Sequence, residues 1–145
     1  MELYSHPLQI RWSDLDPNFH LRHSVYYDWG ALCRMEYLIQ HGLTPAVMQK
    51  LHFGPIIFRE EAVFRKEIKY GDNLTINLKL VKGRRDYSRW TIAHEIKKQE
   101  DTLCAVVTVD GAWMNLKERK LFIPSVEVTD VFSQMPIGED FQWLD

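Results

Sequence analysis

Apolar and polar positions change period along this chain, and the changes divide it into elements. Leu8, Ile10 and Trp12 alternate with Gln9, Arg11 and Ser13, which predicts a first strand. Residues 24–41 lose that alternation. Val25, Tyr26, Trp29, Leu32, Cys33, Met35, Leu38 and their neighbours cover most of a helical circumference, so a helix buried nearly all round is expected. At roughly 18 residues it would be about 27 Å long. His41-Gly42 followed by Pro45 supplies the stop: a basic last turn, a left-handed cap, then a breaker.

The rest of the pattern is strand-like. Residues 55–69 form a long run whose alternation slips near Glu60-Glu61, as a bulge would make it. Gly71-Asp72 turns the chain. Leu74, Ile76, Leu78 and Leu80 then alternate with polar neighbours. Residues 82–86 make a glycine-containing hairpin loop, after which Trp90, Ile92, His94 and Ile96 share one face. A turn at residues 99–101 leads into a last long strand over residues 102–116. The tail, residues 117–145, has weak periodicity and predicts no element. Short turns make consecutive strands antiparallel neighbours. Only a curled sheet can cover one helix on all sides. The expected architecture is therefore α+β: a curved antiparallel sheet wrapped around one long central helix.

Length and charge limit the function classes. With 145 residues and 46% hydrophobic side chains, residues 1–145 fit one domain with a full core. The 18 basic and 20 acidic side chains nearly balance, which argues against a dedicated nucleic-acid surface. Cys33 and Cys104 both lie in apolar runs and read as buried free thiols of a reducing compartment. Residues 1–12 lack the basic and apolar regions of a secretory signal, and no apolar run reaches membrane-spanning length. A cytoplasmic protein without membrane insertion is expected.

Candidate chemistry concentrates in residues 14–23, Asp-Leu-Asp-Pro-Asn-Phe-His-Leu-Arg-His, just ahead of the helix. A helix start offers free backbone N–H groups and partial positive charge, where a developing oxyanion can sit. A carboxylate beside it can act as nucleophile or as general base toward water. The residues alone leave two readings of Asp16: that catalytic one, and a solvated or helix-capping loop acid. Asp14 reads as a loop-fixing acid that accepts from backbone N–H groups. His20 and His23 read as groups that orient substrate or water, or as solvated surface histidines. Their spacing with the two acids does not match a closed zinc site, so no metal is expected.

These residues carry a resemblance. Asp14-x-Asp16-Pro17-x-x-His20, then Tyr26-Tyr27, then Ala31-x-x-Arg34-x-Glu36-Tyr37-Leu38, resembles the signature of the hotdog-fold thioesterases, closest to the 4-hydroxybenzoyl-CoA thioesterase-like group. Tyr70-Gly71-Asp72 is similar to that family's Gly-Asp turn. The resemblance spans about residues 4–116 and implies hydrolysis of an acyl-CoA thioester to free acid and CoA, without a cofactor. It implies that Asp16 is the catalytic carboxylate, with His20 and His23 beside it and the oxyanion held by backbone N–H groups near His23 and Ser24. Ser24, Tyr26, Glu61, Arg84 and Arg85 are the implied substrate contacts. It also implies a homodimer or homotetramer with active sites at the seam. The sequence departs from the pattern at Phe19, where glycine is usual, and at Arg22-His23, where asparagines are common. A hotdog protein that binds acyl thioesters without hydrolysing them is the alternative, and a scaffold dimer with no small-molecule site is a further one.

Two pairs of residues stay open on their own chemistry. Glu60 and Glu61 are adjacent in a strand and must face opposite ways, one solvated and one needing a partner, so ion pairing competes with a role at the site. Lys82, Arg84 and Arg85 make a basic hairpin that is either a solvated turn or a bidentate receptor for the phosphates of CoA. Tyr26, Tyr27, Trp29 and Tyr37 read mostly as core.

Overall fold

A computed structural model of the chain describes residues 4–144. The expectations for residues 1–12 therefore fall partly outside the described residues. Strand β1 (Ser5–Leu8) is followed by a 3-10 turn at Trp12–Asp14, helix α1 (Val25–Gln40), helix α2 (Pro45–Leu51) and strand β2 (Phe53–Phe64). Strands β3 (Leu74–Asn77), β4 (Lys79–Arg84), β5 (Arg89–Lys98) and β6 (Thr102–Asn115) come next. The tail folds into β7 (Lys120–Leu121), helix α3 (Val126–Ser133) and β8 (Ile137–Leu144).

One sheet joins all the strands. Across it run β2, β6, β5 and then β3 and β4 end to end; β1 pairs antiparallel with β3, and β8 pairs parallel with β4. The prediction that β2 and β3 are neighbours is corrected: β2 pairs with β6 along its length, while β3 pairs with β5. The connection between β2 and β3 crosses the sheet end instead of turning tightly. β2 pairs with no other strand among the described residues, so its outer edge is open.

Local chemistry moves several boundaries. The first strand ends at Leu8 and does not reach Trp12, because Asp14 draws the chain back: its Oδ2 accepts from the Arg11 backbone N–H at 2.9 Å. Side-chain bonding of this kind competes with a sheet ladder. The β2 bulge lies at Phe58, between Ile57 and Arg59, rather than at Glu60-Glu61. The alternating run at residues 74–80 breaks at Leu78. There the Asn77 side chain replaces a backbone partner: its Oδ1 accepts from the Glu95 N–H at 2.7 Å.

Helix α1 lies against the sheet through Val25, Tyr26, Trp29, Cys33 and Tyr37, all buried. It ends as its sequence predicts. Gly42 takes φ +92, and the His41 Nδ1 donates to the Tyr37 carbonyl at 2.8 Å. It is not buried all round, however. Leu32 is 51% and Ile39 is 43% exposed, because one sheet covers only one side. Helix α3 closes the core beyond the end of α1. The Tyr37 hydroxyl donates to the Val131 carbonyl at 2.8 Å, and Phe132 packs on Trp90 and Trp113. Gly111 makes room for Trp90, whose ring would lie 2.3 Å from any Cβ there. Cys33 and Cys104 are buried free thiols, and burial pushes Cys33 up to about 12.

Candidate active site

The acid-rich segment closes into a small, strongly bonded loop. Leu15 bridges to Leu21, the Asp16 N–H donates to the His20 carbonyl at 2.8 Å, and the Phe19 N–H donates to the Asp16 carbonyl at 2.9 Å. Asp16 Oδ1 accepts from the backbone N–H groups of Asn18 at 2.8 Å and His20 at 3.1 Å. Its other carboxylate oxygen has no partner among the described residues. The acid thus fixes its own turn with one oxygen and presents the other. Phe19 occupies the left-handed region, φ 63, which explains why glycine suits this position. Its ring, 63% exposed, leans on Trp12, which in turn meets Tyr70 edge-on.

Asp14 anchors the loop from below. It is 1% exposed and accepts from the Arg11 guanidinium at 2.8 Å, while its carbonyl accepts from the Arg22 N–H at 2.7 Å. Hydrogen bonding to Arg11 holds its carboxyl below the usual carboxylate range. This bond set ties the Asp16 loop to the residues that open α1. The backbone N–H groups of His23 and Ser24 have no partner among the described residues, and no side chain caps the helix. The His23 imidazole is exposed, and the Ser24 hydroxyl accepts from Arg22 at 3.3 Å.

Beside the loop lies an open groove lined by His20, Tyr26, Phe64, Arg65, Lys66 and Glu67. It exists because His20 bridges to Lys69 and the Leu21 N–H donates to the Ile68 carbonyl at 2.8 Å. The His20 imidazole sits 3.1 Å from Glu67. Tyr26 is 4% exposed, core on one side and groove wall on the other, and burial pushes its phenol up to about 12. Arg65, Lys66 and Glu67 were not singled out by the sequence pattern. Only the pairing of residues 20–21 with 68–69 brings them here, and no local spacing announces it.

Other expected contacts lie elsewhere. Glu61 is on the sheet face away from α1, paired with Arg59, so it does not join the Asp16 loop within one chain. Glu60 turns toward the helix and stands 3.8 Å from Arg34. Arg84 and Arg85 are exposed on the β4–β5 hairpin, with Arg85 over the Trp143 ring at 5.0 Å. That hairpin is at the opposite end of the sheet from Asp16. From Trp90, beside the hairpin, to Lys98, which pairs with Leu74, β5 advances about 26 Å at roughly 3.3 Å per residue. Among the described residues no group of three or more His, Cys, Asp or Glu side chains could hold a metal ion, and no helix is long and apolar enough to cross a membrane.

The model of the thioesterase-like superfamily matches residues 10–140. The chain belongs to this family. Thioesterase-like members are thioester hydrolases, and the curved sheet around α1 is their hotdog fold. Similar solved structures include a hypothetical protein from Staphylococcus aureus in complex with CoA, at 18% identity and TM-score 0.83, covering 94% of this chain and 88% of that one. A 1,4-dihydroxy-2-naphthoyl-CoA thioesterase from Synechocystis has 16% identity and TM-score 0.81, covering 92% and 97%. A DHNA-CoA thioesterase from Staphylococcus aureus has 17% identity and TM-score 0.81, covering 92% and 91%. No protein of curated function matches the chain.

Proposed function

We propose that this thioesterase-like protein hydrolyses an acyl-CoA thioester, with Asp16 as the catalytic carboxylate. The observation that carries the reading is an unengaged Asp16 oxygen on the same bonded turn as two unpartnered helix-start amides. The thioester carbonyl oxygen lies against the N–H groups of His23 and Ser24, which stabilise the negative charge it gains. Asp16 attacks the carbonyl carbon, or takes a proton from the water that does. The C–S bond then breaks, CoA leaves as thiolate and is protonated, and the acyl group ends as free acid. In the nucleophilic route, water resolves the mixed anhydride in a second step. His20, held by Glu67, orients the water or substrate.

Acceptance of CoA draws support from the shared fold of the CoA-bound Staphylococcus aureus protein and the two CoA thioesterases. In one chain Arg65 and Lys66 line the groove beside the Asp16 loop and Lys69 bridges to His20, while Arg84 and Arg85 lie at the other end of the sheet. The hairpin would reach an Asp16 site from a second copy of the chain, as it would if two β2 edges paired antiparallel and so reversed one sheet end against the other. The test is release of free thiol from a panel of acyl-CoAs. Thiol release above the uncatalysed rate is expected; its absence with CoA retained by the protein would favour binding without hydrolysis.

A further inference from the structure

Strand β8 extends the sheet on the outer side of β4 and ends beside the β4–β5 hairpin. Parallel pairing sets Gln142 against Lys82, Trp143 against Gly83 and Leu144 against Arg84. The Trp143 indole lies close over Gly83, its ring 4.0 Å from where a Cβ would stand. Phe141 meets the ring edge-on at 4.9 Å, Tyr87 leans on it at 5.9 Å, and the Arg85 guanidinium lies over it at 5.0 Å. These neighbours fix the ring, yet Trp143 stays 39% exposed. Cations surround it. Lys82, Arg84 and Arg85 are exposed, and Arg89 lies over Phe58 at 4.6 Å. None of these cations has a carboxylate at ion-pair distance among the described residues. The hairpin's own acid, Asp86, is engaged: its Oδ1 accepts from the Ser88 N–H at 2.9 Å and from the Ser88 hydroxyl at 2.6 Å. Asp110, which shares a hollow with Arg89, is engaged by Thr91 and Arg59.

Two open hollows meet at this place. One, of about 540 Å³, is lined by Arg84, Arg85, Asp86, Trp143 and Leu144. The other, of about 440 Å³, shares Arg84 and Leu144 and adds Lys82, Arg89 and Phe58. Arginine and lysine without carboxylate partners attract phosphate. Aromatic faces and guanidinium planes are where nucleobases stack. The two together fit a nucleotide with more than one phosphate; an anion without a base would leave Trp143 unused. Thioester donors differ in this respect. CoA carries its pantetheine arm on an adenine nucleotide. A carrier protein presents the same arm on a single phosphodiester, with no base.

Resting on the acyl-CoA reading, we infer that Trp143 and Arg85 hold the adenine of CoA, with Lys82, Arg84 and Arg89 around its phosphates, and that this site selects CoA thioesters over carrier-protein thioesters. The test is calorimetric titration of the full chain with ADP and, as the counterpart without a base, inorganic pyrophosphate. Wild type should bind ADP about tenfold more tightly than pyrophosphate, the worth of one stacked base. Trp143→Leu should weaken ADP binding about tenfold and leave pyrophosphate binding little changed. Trp143→Phe keeps a stacking face and should retain most of the ADP affinity. Arg85→Gln, at an exposed position that the fold tolerates, should weaken ADP binding as well. A general loss of structure would lower both affinities together, so the difference between the two ligands reads stacking alone. Pyrophosphate bound as tightly as ADP, no saturable ADP binding, or ADP binding that survives Trp143→Leu overturns the inference. The titration needs no turnover. ADP binding that depends on Trp143 in a protein that hydrolyses no acyl-CoA keeps the nucleotide site and removes the hydrolytic reading; hydrolysis without ADP binding does the reverse.

Discussion

His94 is held neutral by two neighbours that cannot change roles: Arg34 donates to one ring nitrogen and the Asn77 carbonyl accepts from the other. Burial, aided by the Arg34 charge, pushes its pKa down to about 3, against 6.5 for an ordinary histidine. Between those two values the unfolded chain binds a proton that the folded chain does not. Stability therefore rises with pH across this window, is complete above 6.5, and is lost as pH falls below it. The slope is at most about 1.4 kcal/mol per pH unit for one proton. His94→Gln should melt lower at neutral pH but show a flatter pH dependence between about pH 6.5 and pH 5. An unchanged slope would mean that His94 is not the group responsible. Asp14 acts in a lower window: its depressed carboxyl contributes stability above the usual 3.8, lost only as pH falls through its folded value.

At the scale of elements, the β4–β5 hairpin carries the clearest prediction. Arg84→Ala with Arg85→Ala should raise KM for a CoA thioester several-fold and leave turnover of a truncated pantetheine thioester little changed, because phosphate contacts act far from the scissile bond. Equal losses on both substrates would remove the hairpin from CoA binding. The elements themselves were legible to different depths. Helix α1 and its stop could be read because an apolar run, Gly42 and Pro45 agree locally. The Asp16 loop could be read because its groups are contiguous. The β2–β6 pairing could not, since alternation says which face is buried but not which strand is adjacent. The first strand was drawn too far because Arg11 and Asp14 bond locally against the alternation of Ile10 and Trp12. Arg65, Lys66 and Glu67 escaped notice because only the bridge between residues 20 and 69 places them beside His20. The open face of α1 escaped for another reason: Leu32 and Ile39 read as core, and one chain has no element to cover them.

At the scale of the whole molecule, an open β2 edge and an open helix face belong together. β2 exposes Ile57, Phe58, Val63 and Phe64 along a strand with one free side, a pairing template that folded proteins rarely leave bare. Edge-to-edge pairing of two copies would cover it and bring the hairpin of one chain toward the Asp16 end of the other. Light scattering should give a dimer or tetramer at micromolar concentration, and Val63→Lys should shift it toward monomer; a wild-type monomer would contradict this assembly. In the proposed reading the assembly would serve the chemistry, and that chemistry would rest on Asp16. Its Oδ1 holds a turn, a task asparagine can share at a cost of about 1 kcal/mol. Its free oxygen has a task asparagine cannot share, worth about 10² to 10⁴ in rate. Turnover of the best acyl-CoA should therefore be measured for Asp16→Asn beside the wild type, with the melting temperatures of both. The account predicts at least a hundredfold loss of turnover with the fold retained; a variant that keeps more than about a tenth of wild-type turnover would contradict it.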